Sequence, residues 1–158
     1  MTGPLYCVDT SSLIHAADRA YPIDVFGSFW ERFDGLISDG RVIAPREVLK
    51  EISRQHDELH DWCKGRNGMF VPTSVELQRE LVMVNQQFPT LVDLKKNRGL
   101  ADPWVVALAR LTGATAVVLT QEFSKPTKPR IPDACRALGI RTMNLLDLIR
   151  QEKWTWNT

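Results

Sequence analysis

The run Ala116-Val117-Val118-Leu119 constrains this chain more than any other segment. A short, unbroken apolar stretch rich in β-branched residues fits a strand covered on both faces, and such strands belong to parallel sheets between helices. Leu5–Val8 repeats the pattern near the N-terminus and ends at Asp9. Arg41-Val42-Ile43-Ala44, after the Asp39-Gly40 turn signal, and Ile140–Met143 are further short strands. Helical spacing fills the gaps. Asp24–Ser38 carries a wide apolar stripe, and Arg46–Arg54 follows Pro45, which is expected at the first helical position. A helical or loop stretch runs through His60 and Trp62 to Gly65, and Ser74–Phe88 is bounded by Pro72 and Pro89. Asp102-Pro103 opens a helix apolar almost all round, closed by Gly113, and Ile131–Leu138 and Asn144–Arg150 complete the set. Strands alternating with helices imply βαβ units, so the expected fold is α/β, three layers with a mainly parallel central sheet.

A chain of 158 residues fits one domain, expected to span 1–158, and is long enough to bury a core without a disulfide or metal staple. The formal net charge of +1 gives no bulk basic signal, so any nucleic-acid contact must come from a local patch. Cys7, Cys63 and Cys135 are far apart and show no C-x-x-C spacing, which argues against a zinc ribbon or a disulfide framework and favours a reducing, cytoplasmic setting. Met1–Val8 lacks the basic and apolar regions of a signal peptide. No apolar run approaches the roughly 20 residues of a membrane span, so no membrane partner is expected.

In open parallel sheets the working site lies outside the carboxyl ends of the strands. Asp9 directly follows the first strand and Glu122 comes three residues after Leu119, so both are expected at one edge. Asp102, opening a buried helix, is expected there too. On Arg46–Arg54 the apolar face is Val48, Leu49 and Ile52. Glu51 lies about 107° from its centre and Glu47 about 147° at ~100° per residue, so Glu51 can reach a cleft while Glu47 should be more solvated. Each acid also has a plain structural reading: Asp9 and Asp102 as helix N-caps, Glu51 as a solvated helix residue, Glu122 as a loop acid.

Four segments, in order, resemble the motifs of PIN domains. They are Leu5–Ile14 (apolar strand, Asp9, Thr10-Ser11-Ser12), Val48-Leu49-Lys50-Glu51-Ile52, Leu100–Ala109 with Asp102, and Val117-Val118-Leu119-Thr120-Gln121-Glu122-Phe123. The match covers nearly the whole chain and looks closer to a bacterial PIN-like branch, related to the toxins of toxin–antitoxin modules, than to the best-known toxin subfamily itself. Two departures stand out: Glu122 where the family usually has aspartate, and the Lys-, Arg- and Pro-rich stretch Phe123–Arg130. The resemblance implies a ribonuclease of the endonucleolytic kind, with one or two Mg²⁺ or Mn²⁺ ions held by Asp9 and Asp102 and completed by Glu51 and Glu122. Such hard cations suit oxygen ligands. Ser11 and Thr120 would orient the carboxylates or waters. Lys125, Lys128 and Arg130 would hold RNA phosphates, and an antitoxin protein would cover the site.

Competing readings are weaker on chemistry. His56-Asp57-Glu58-Leu59-His60 spaces two histidines at i, i+4, but a zinc protease needs glutamate directly after the first. A haloacid-dehalogenase-like phosphatase using Asp9 as nucleophile wants aspartate two residues on, where Ser11 stands. A catalytically silent PIN-like module binding RNA or protein is the remaining alternative, because the fourth acid is altered. Trp154 and Trp156 either dock on the domain's own surface or mark a subunit or partner contact, which leaves a homodimer open.

Overall fold

The structure is a computed structural model that describes residues 3–54 and 56–156, without the side chains of Asp57 and Asn67. Met1 and Thr2, at the start of the stretch read for a leader, lie outside the described residues, as does the Asp57 side chain of the two-histidine segment. In chain order the elements are β1 (Leu5–Val8), α1 (Thr10–His15), α2 (Gly27–Ser38), β2 (Val42–Pro45), α3 (Arg46–Ser53) and α4 (Asp57–Lys64), then β3 (Phe70–Val71), α5 (Val75–Gln87) and α6 (Asp102–Thr112), then β4 (Ala116–Leu119), α7 (Ile131–Ala137), β5 (Arg141–Met143) and α8 (Leu145–Gln151).

The strands form one sheet in the order β3-β2-β1-β4-β5, and every neighbouring pair is parallel. Helices cover it on both sides, which makes the three-layer α/β/α arrangement. From β1 the chain steps outward through β2 to β3, then crosses to β4 on the other side of β1. The direction of winding therefore reverses between β1 and β4, where parallel sheets open a crevice at their carboxyl ends. All four residues of β4 are buried, as a strand covered on both faces requires. The ladder runs one residue past both strand ends: Asp9 N–H donates to Leu119 C=O (3.0 Å) and Thr120 N–H to Met143 C=O (2.9 Å).

Helix α6 carries the buried run Val105–Ala109 and packs on α5, α7, β1, β2 and β4. On α2, Phe29, Trp30 and Phe33 form an aromatic cluster with Trp62 and Trp154. Trp154 thus docks on the protein's own core. Trp156 is part-exposed, donates its indole N–H to Ser28 Oγ (2.8 Å) and sits under the Arg32 guanidinium. The three cysteines are buried and free. Among the described residues no helix is long and apolar enough to cross a membrane.

Several boundaries differ from expectation for local reasons. Helix α2 begins at Gly27, because Val25 and Phe26 turn back to bond Pro22 C=O instead. Pro45 is the last residue of β2 and precedes α3 in an extended conformation, so its missing N–H costs the helix nothing. Strand β3 has two residues, too few for any periodicity to reveal, and pairs with Ala44 and Pro45. Leu111, expected inside, is exposed at the tail of α6. His56 does not share a helix face with His60; it precedes α4 and meets Asp18 at 3.3 Å.

Candidate active site

Asp9 is the N-cap of α1, as its plain reading required: Oδ1 accepts from the Ser12 N–H (2.8 Å). Its other oxygen, Oδ2, accepts from two hydroxyls, Ser11 Oγ (2.8 Å) and Thr120 Oγ1 (2.5 Å). Those hydroxyls are themselves held by the chain after β4. Gln121 N–H donates to Ser11 Oγ (3.2 Å) and Glu122 N–H to Thr120 Oγ1 (3.1 Å). Gln121 is in turn fixed, its Oε1 accepting from Leu145 N–H (2.7 Å). An ionised carboxylate has about four lone-pair positions. Three are taken here, and one is left.

Above this network lies a cavity of about 350 Å³ whose wall includes Glu51, Asp102 and Glu122 together with Thr10 and Ser11. Asp9 is not on the wall; it is buried one layer beneath, behind Ser11. Glu51 reaches the cavity from α3 as its helical angle allowed, and it is anchored at both oxygens: Thr10 Oγ1 donates to Oε1 (2.6 Å) and Ala101 N–H to Oε2 (3.3 Å). Glu47, expected to be the more solvated of the two, is half-buried, with Oε1 buried and without a partner. Asp102 is not an N-cap. Ala101 holds that position without any side-chain bond, and Asp102 is the first helical residue with Pro103 behind it. Its carboxylate is therefore free of the capping duty that the sequence suggested.

Crowding of like charge shows in the titration of the acids. Burial pushes the Asp102 carboxyl well up, and the charges of Glu122, Asp9 and Glu51 push it further, against the opposing pull of Arg130. Glu122 is raised by burial and by Asp9, with Arg130 partly offsetting. Asp9 is raised by burial against the hydrogen bonds from Thr120, Ser11 and Ser12. Glu122 Oε1 is buried without any partner, an acceptor with nothing to accept.

Compared with known families, residues 6–156 match the one described as a domain of unknown function, DUF4411. The chain belongs to the DUF4411 family. No curated protein and no solved structure matches it.

Among the described residues of this DUF4411 site, no group of three or more His, Cys, Asp or Glu is gathered tightly enough to be a metal cage by itself. The acids instead stand around the cavity, facing four cations on its wall: Lys96, Arg98, Lys128 and Arg130. Arg130 Nη1 lies 3.7 Å from Glu122 Oε2, and Lys128 Nζ lies 3.4 Å from Asp93 Oδ2. Lys125, grouped with these two on sequence, is not on this wall; it is exposed on an outer groove beside Phe123.

Asp93, Lys96 and Arg98 were not anticipated from sequence. They reach the site on a hairpin in which Asp93 and Arg98 exchange backbone hydrogen bonds of 2.9 and 3.0 Å. Gly99 then returns the chain to α6 with φ of +69°, and a Cβ there would lie 2.2 Å from Leu91 O and 3.0 Å from Asp102 Oδ2. Asn97 and Gly99, either side of Arg98, were the available signal, since Asn and Gly each tolerate a left-handed backbone, and Asn97 indeed has φ of +52°.

Proposed function

We propose that this protein is a PIN-like ribonuclease dependent on Mg²⁺ or Mn²⁺, hydrolysing RNA phosphodiester bonds at the carboxylate cluster. The observation that carries the reading is convergence. Glu51 from α3, Asp102 from the start of α6 and Glu122 from the loop after β4 wall one cavity over Asp9, at the crevice where the sheet reverses its winding. The donor set fits a hard divalent cation: carboxylate oxygens only, one of them the buried, unpartnered Oε1 of Glu122. Mg²⁺ typically keeps several waters and needs only one or two carboxylates plus substrate phosphate, so a spread arrangement suits it.

In this proposal Asp102 from the cavity wall and Asp9 from beneath it, through its one open lone-pair position, are the principal ligands, with Glu51 and Glu122 completing a site for one or two ions. A divalent ion there would acidify a bound water and neutralise charge on the departing oxygen. The chain's own part is positioning. Ser11 and Thr120 fix the Asp9 carboxylate, Thr10 and the Ala101 N–H fix Glu51, and Lys96, Arg98 and Arg130 face an incoming phosphate. Holding ligating carboxylates by a second set of hydrogen bonds typically matters 10- to 100-fold in metal affinity or activity. The buried free thiols suit a reducing compartment, so we place the activity in the cytoplasm. A partner protein that covers the cavity, as an antitoxin would, belongs to the same proposal.

A second reading has its own observation. The Arg130 guanidinium beside Glu122 already supplies positive charge to the cluster, as it would in a silent module that binds RNA without cutting it. Incubating purified protein with RNA and Mn²⁺ separates the two. Cleavage lost in Asp9→Asn and Asp102→Asn supports the nuclease; RNA bound equally by all three proteins, with no cleavage by any, makes the module the answer.

A further inference from the structure

Phe123 is 88% exposed, the most exposed large hydrophobic side chain among the described residues, yet it directly follows Glu122 of the carboxylate cluster. The segment bearing it is not loose. Asp133, in the first turn of α7, gathers three donors from it: Ser124 Oγ (2.5 Å), Lys125 N–H (2.8 Å) and Arg130 N–H (2.9 Å). Lys128 N–H bonds back to Lys125 C=O (2.9 Å), and Thr90 Oγ1 donates to Pro129 C=O (3.3 Å) from across the cavity. Pro126 and Pro129 stiffen what remains. The phenyl ring is thus held out in water by an ordered loop, on a shallow groove of about 300 Å³ formed with Glu122, Ser124, Lys125 and Arg130.

An apolar ring sharing a groove with two cations, next to a cluster proposed to cut phosphodiesters, has the composition of a single-strand binding platform. There, bases stack on aromatic faces while Lys and Arg follow the backbone. We propose that Phe123 stacks on the nucleobase adjacent to the scissile phosphate and restricts the substrate to single-stranded RNA, Lys125 and Arg130 holding the flanking phosphates. A paired base has both faces covered and cannot offer one to the ring, so duplex is refused. This rests on the nuclease reading for its location, but its test is separate from that of cleavage.

Binding is measured by fluorescence anisotropy in EDTA, with a labelled single-stranded RNA 12-mer and the same strand annealed to its complement. Wild type should prefer the single strand. Phe123→Ala should weaken single-strand binding roughly tenfold or more, the range seen when a stacking aromatic is removed. Phe123→Trp should retain binding, whereas Phe123→Leu, apolar but without a π-face, should behave like Phe123→Ala. The position is exposed, so all three variants should fold, and their circular dichroism and melting temperatures check this. Equal affinity in Phe123→Ala and wild type overturns the proposal and reassigns the ring to a protein contact. Leucine serving as well as tryptophan, or duplex bound as tightly as single strand, also overturns it. If Phe123→Ala loses binding but no protein cleaves with Mn²⁺, stacking stands and the nuclease reading falls. If cleavage persists in Phe123→Ala with unchanged KM, the nuclease stands and the stacking proposal falls.

Discussion

Thr120 Oγ1 donates to Asp9 Oδ2 at 2.5 Å, joining residues 111 positions apart across the ends of β1 and β4. The same hydroxyl accepts from the Glu122 N–H, so one threonine couples the most buried acid to the backbone of another. Thr120→Val keeps the shape and removes both functions. Under the nuclease reading it should reduce Mn²⁺ affinity or cleavage about 10- to 100-fold. The stability cost should be only about 1–3 kcal/mol, the penalty for a buried acceptor that loses one of its donors. Thr120→Ser should restore most of the activity. Manganese titration and thermal melts on the two variants check both parts, and full activity in Thr120→Val would remove the positioning role.

Asp102 predicts a trade between stability and activity. Its carboxyl is raised in the folded protein by burial and by Glu122, Asp9 and Glu51, so the folded state holds that proton more tightly than the unfolded chain does. The contribution of Asp102 to stability therefore falls as pH rises above the unfolded value of about 3.9 and towards the raised folded one. Without metal, Asp102→Asn should raise Tm near neutral pH by several degrees, since each kcal/mol is worth roughly 2–4 °C at this size. It should also flatten the decline of Tm with pH. Added Mn²⁺ should stabilise wild type by mass action and leave the variant largely unmoved. A melt series from pH 5 to 8, with and without Mn²⁺, tests this; a lower Tm for Asp102→Asn throughout would mean that the charge is compensated some other way.

The cations of the Asp93–Arg98 hairpin should matter more than sequence grouping implied. Lys96 and Arg98 line the cavity, while Lys128 on the opposite side is paired with Asp93. Lys96→Ala and Arg98→Ala should each weaken RNA binding and lower the slope of log affinity against log salt by about 0.7, the value for one phosphate contact to a single strand. Lys128→Ala should change the slope less, because its charge is already partly used. Anisotropy titrations from 50 to 300 mM salt decide it; unchanged slopes for Lys96→Ala and Arg98→Ala would exclude phosphate contact by the hairpin.

How far the sequence could lead is visible at these same residues. Asp9, Ser11 and Thr120 were legible because strand and cap are local patterns, and adjacent parallel strands end at one edge. Glu51 was legible from helical phase, whereas the half-buried state of Glu47 and its buried Oε1 depend on neighbours outside its helix. Asp102 looked like a cap because Asp-Pro is a strong local signature, but the helix starts one residue earlier, with Ala101 as N-cap and the Asp102 N–H bonded back to Gly99 C=O. Lys96 and Arg98 were not legible, since their approach to the cavity depends on a hairpin whose strands are single residues. The pairing of Lys128 with Asp93, 35 positions away, is tertiary and has no local trace, and that of Arg130 with Glu122 depends on how the loop after β4 folds back on itself.

Gly99 yields a prediction of its own. Its positive φ favours glycine, and a Cβ would lie 2.2 Å from the Leu91 carbonyl oxygen, a backbone atom that cannot swing aside. Gly99→Ala should destabilise by more than the roughly 1 kcal/mol of an ordinary left-handed position, because the hairpin or the Leu91 turn must shift as well. The displacement falls on Asp102 and Arg98 together, so cleavage and salt-dependent RNA binding should both drop. Normal stability in Gly99→Ala would show that the turn relaxes easily, and the hairpin would then be no fixed part of the site.

The far end of the sheet supplies a control remote from the site. Arg41 binds Glu152 through two hydrogen bonds of 2.8 and 2.6 Å, Tyr6 Oη donates to the same carboxylate at 2.6 Å, and Arg41 also reaches Pro4 C=O. Burial alone would raise Glu152, but the bonds from Arg41 and Tyr6 and the guanidinium charge outweigh it and hold the group below the usual carboxylate range. Its contribution is thus complete above the unfolded value of about 4.3 and is lost as pH falls through the lower folded one. Both ion-pair side chains are only about a tenth exposed, so removing one strands the other. Glu152→Ala should cost about 3–5 kcal/mol and lower Tm by on the order of 10 °C at neutral pH, with a smaller deficit at pH 3 where wild type has begun to lose the pair. Cleavage per folded molecule should be unchanged, because this cluster binds the start of β1 to the end of α8 and touches none of the cavity wall. A melt at two pH values with parallel rate measurement tests the claim, and an equal Tm deficit at pH 3 and pH 7 would refute the ionic part of it.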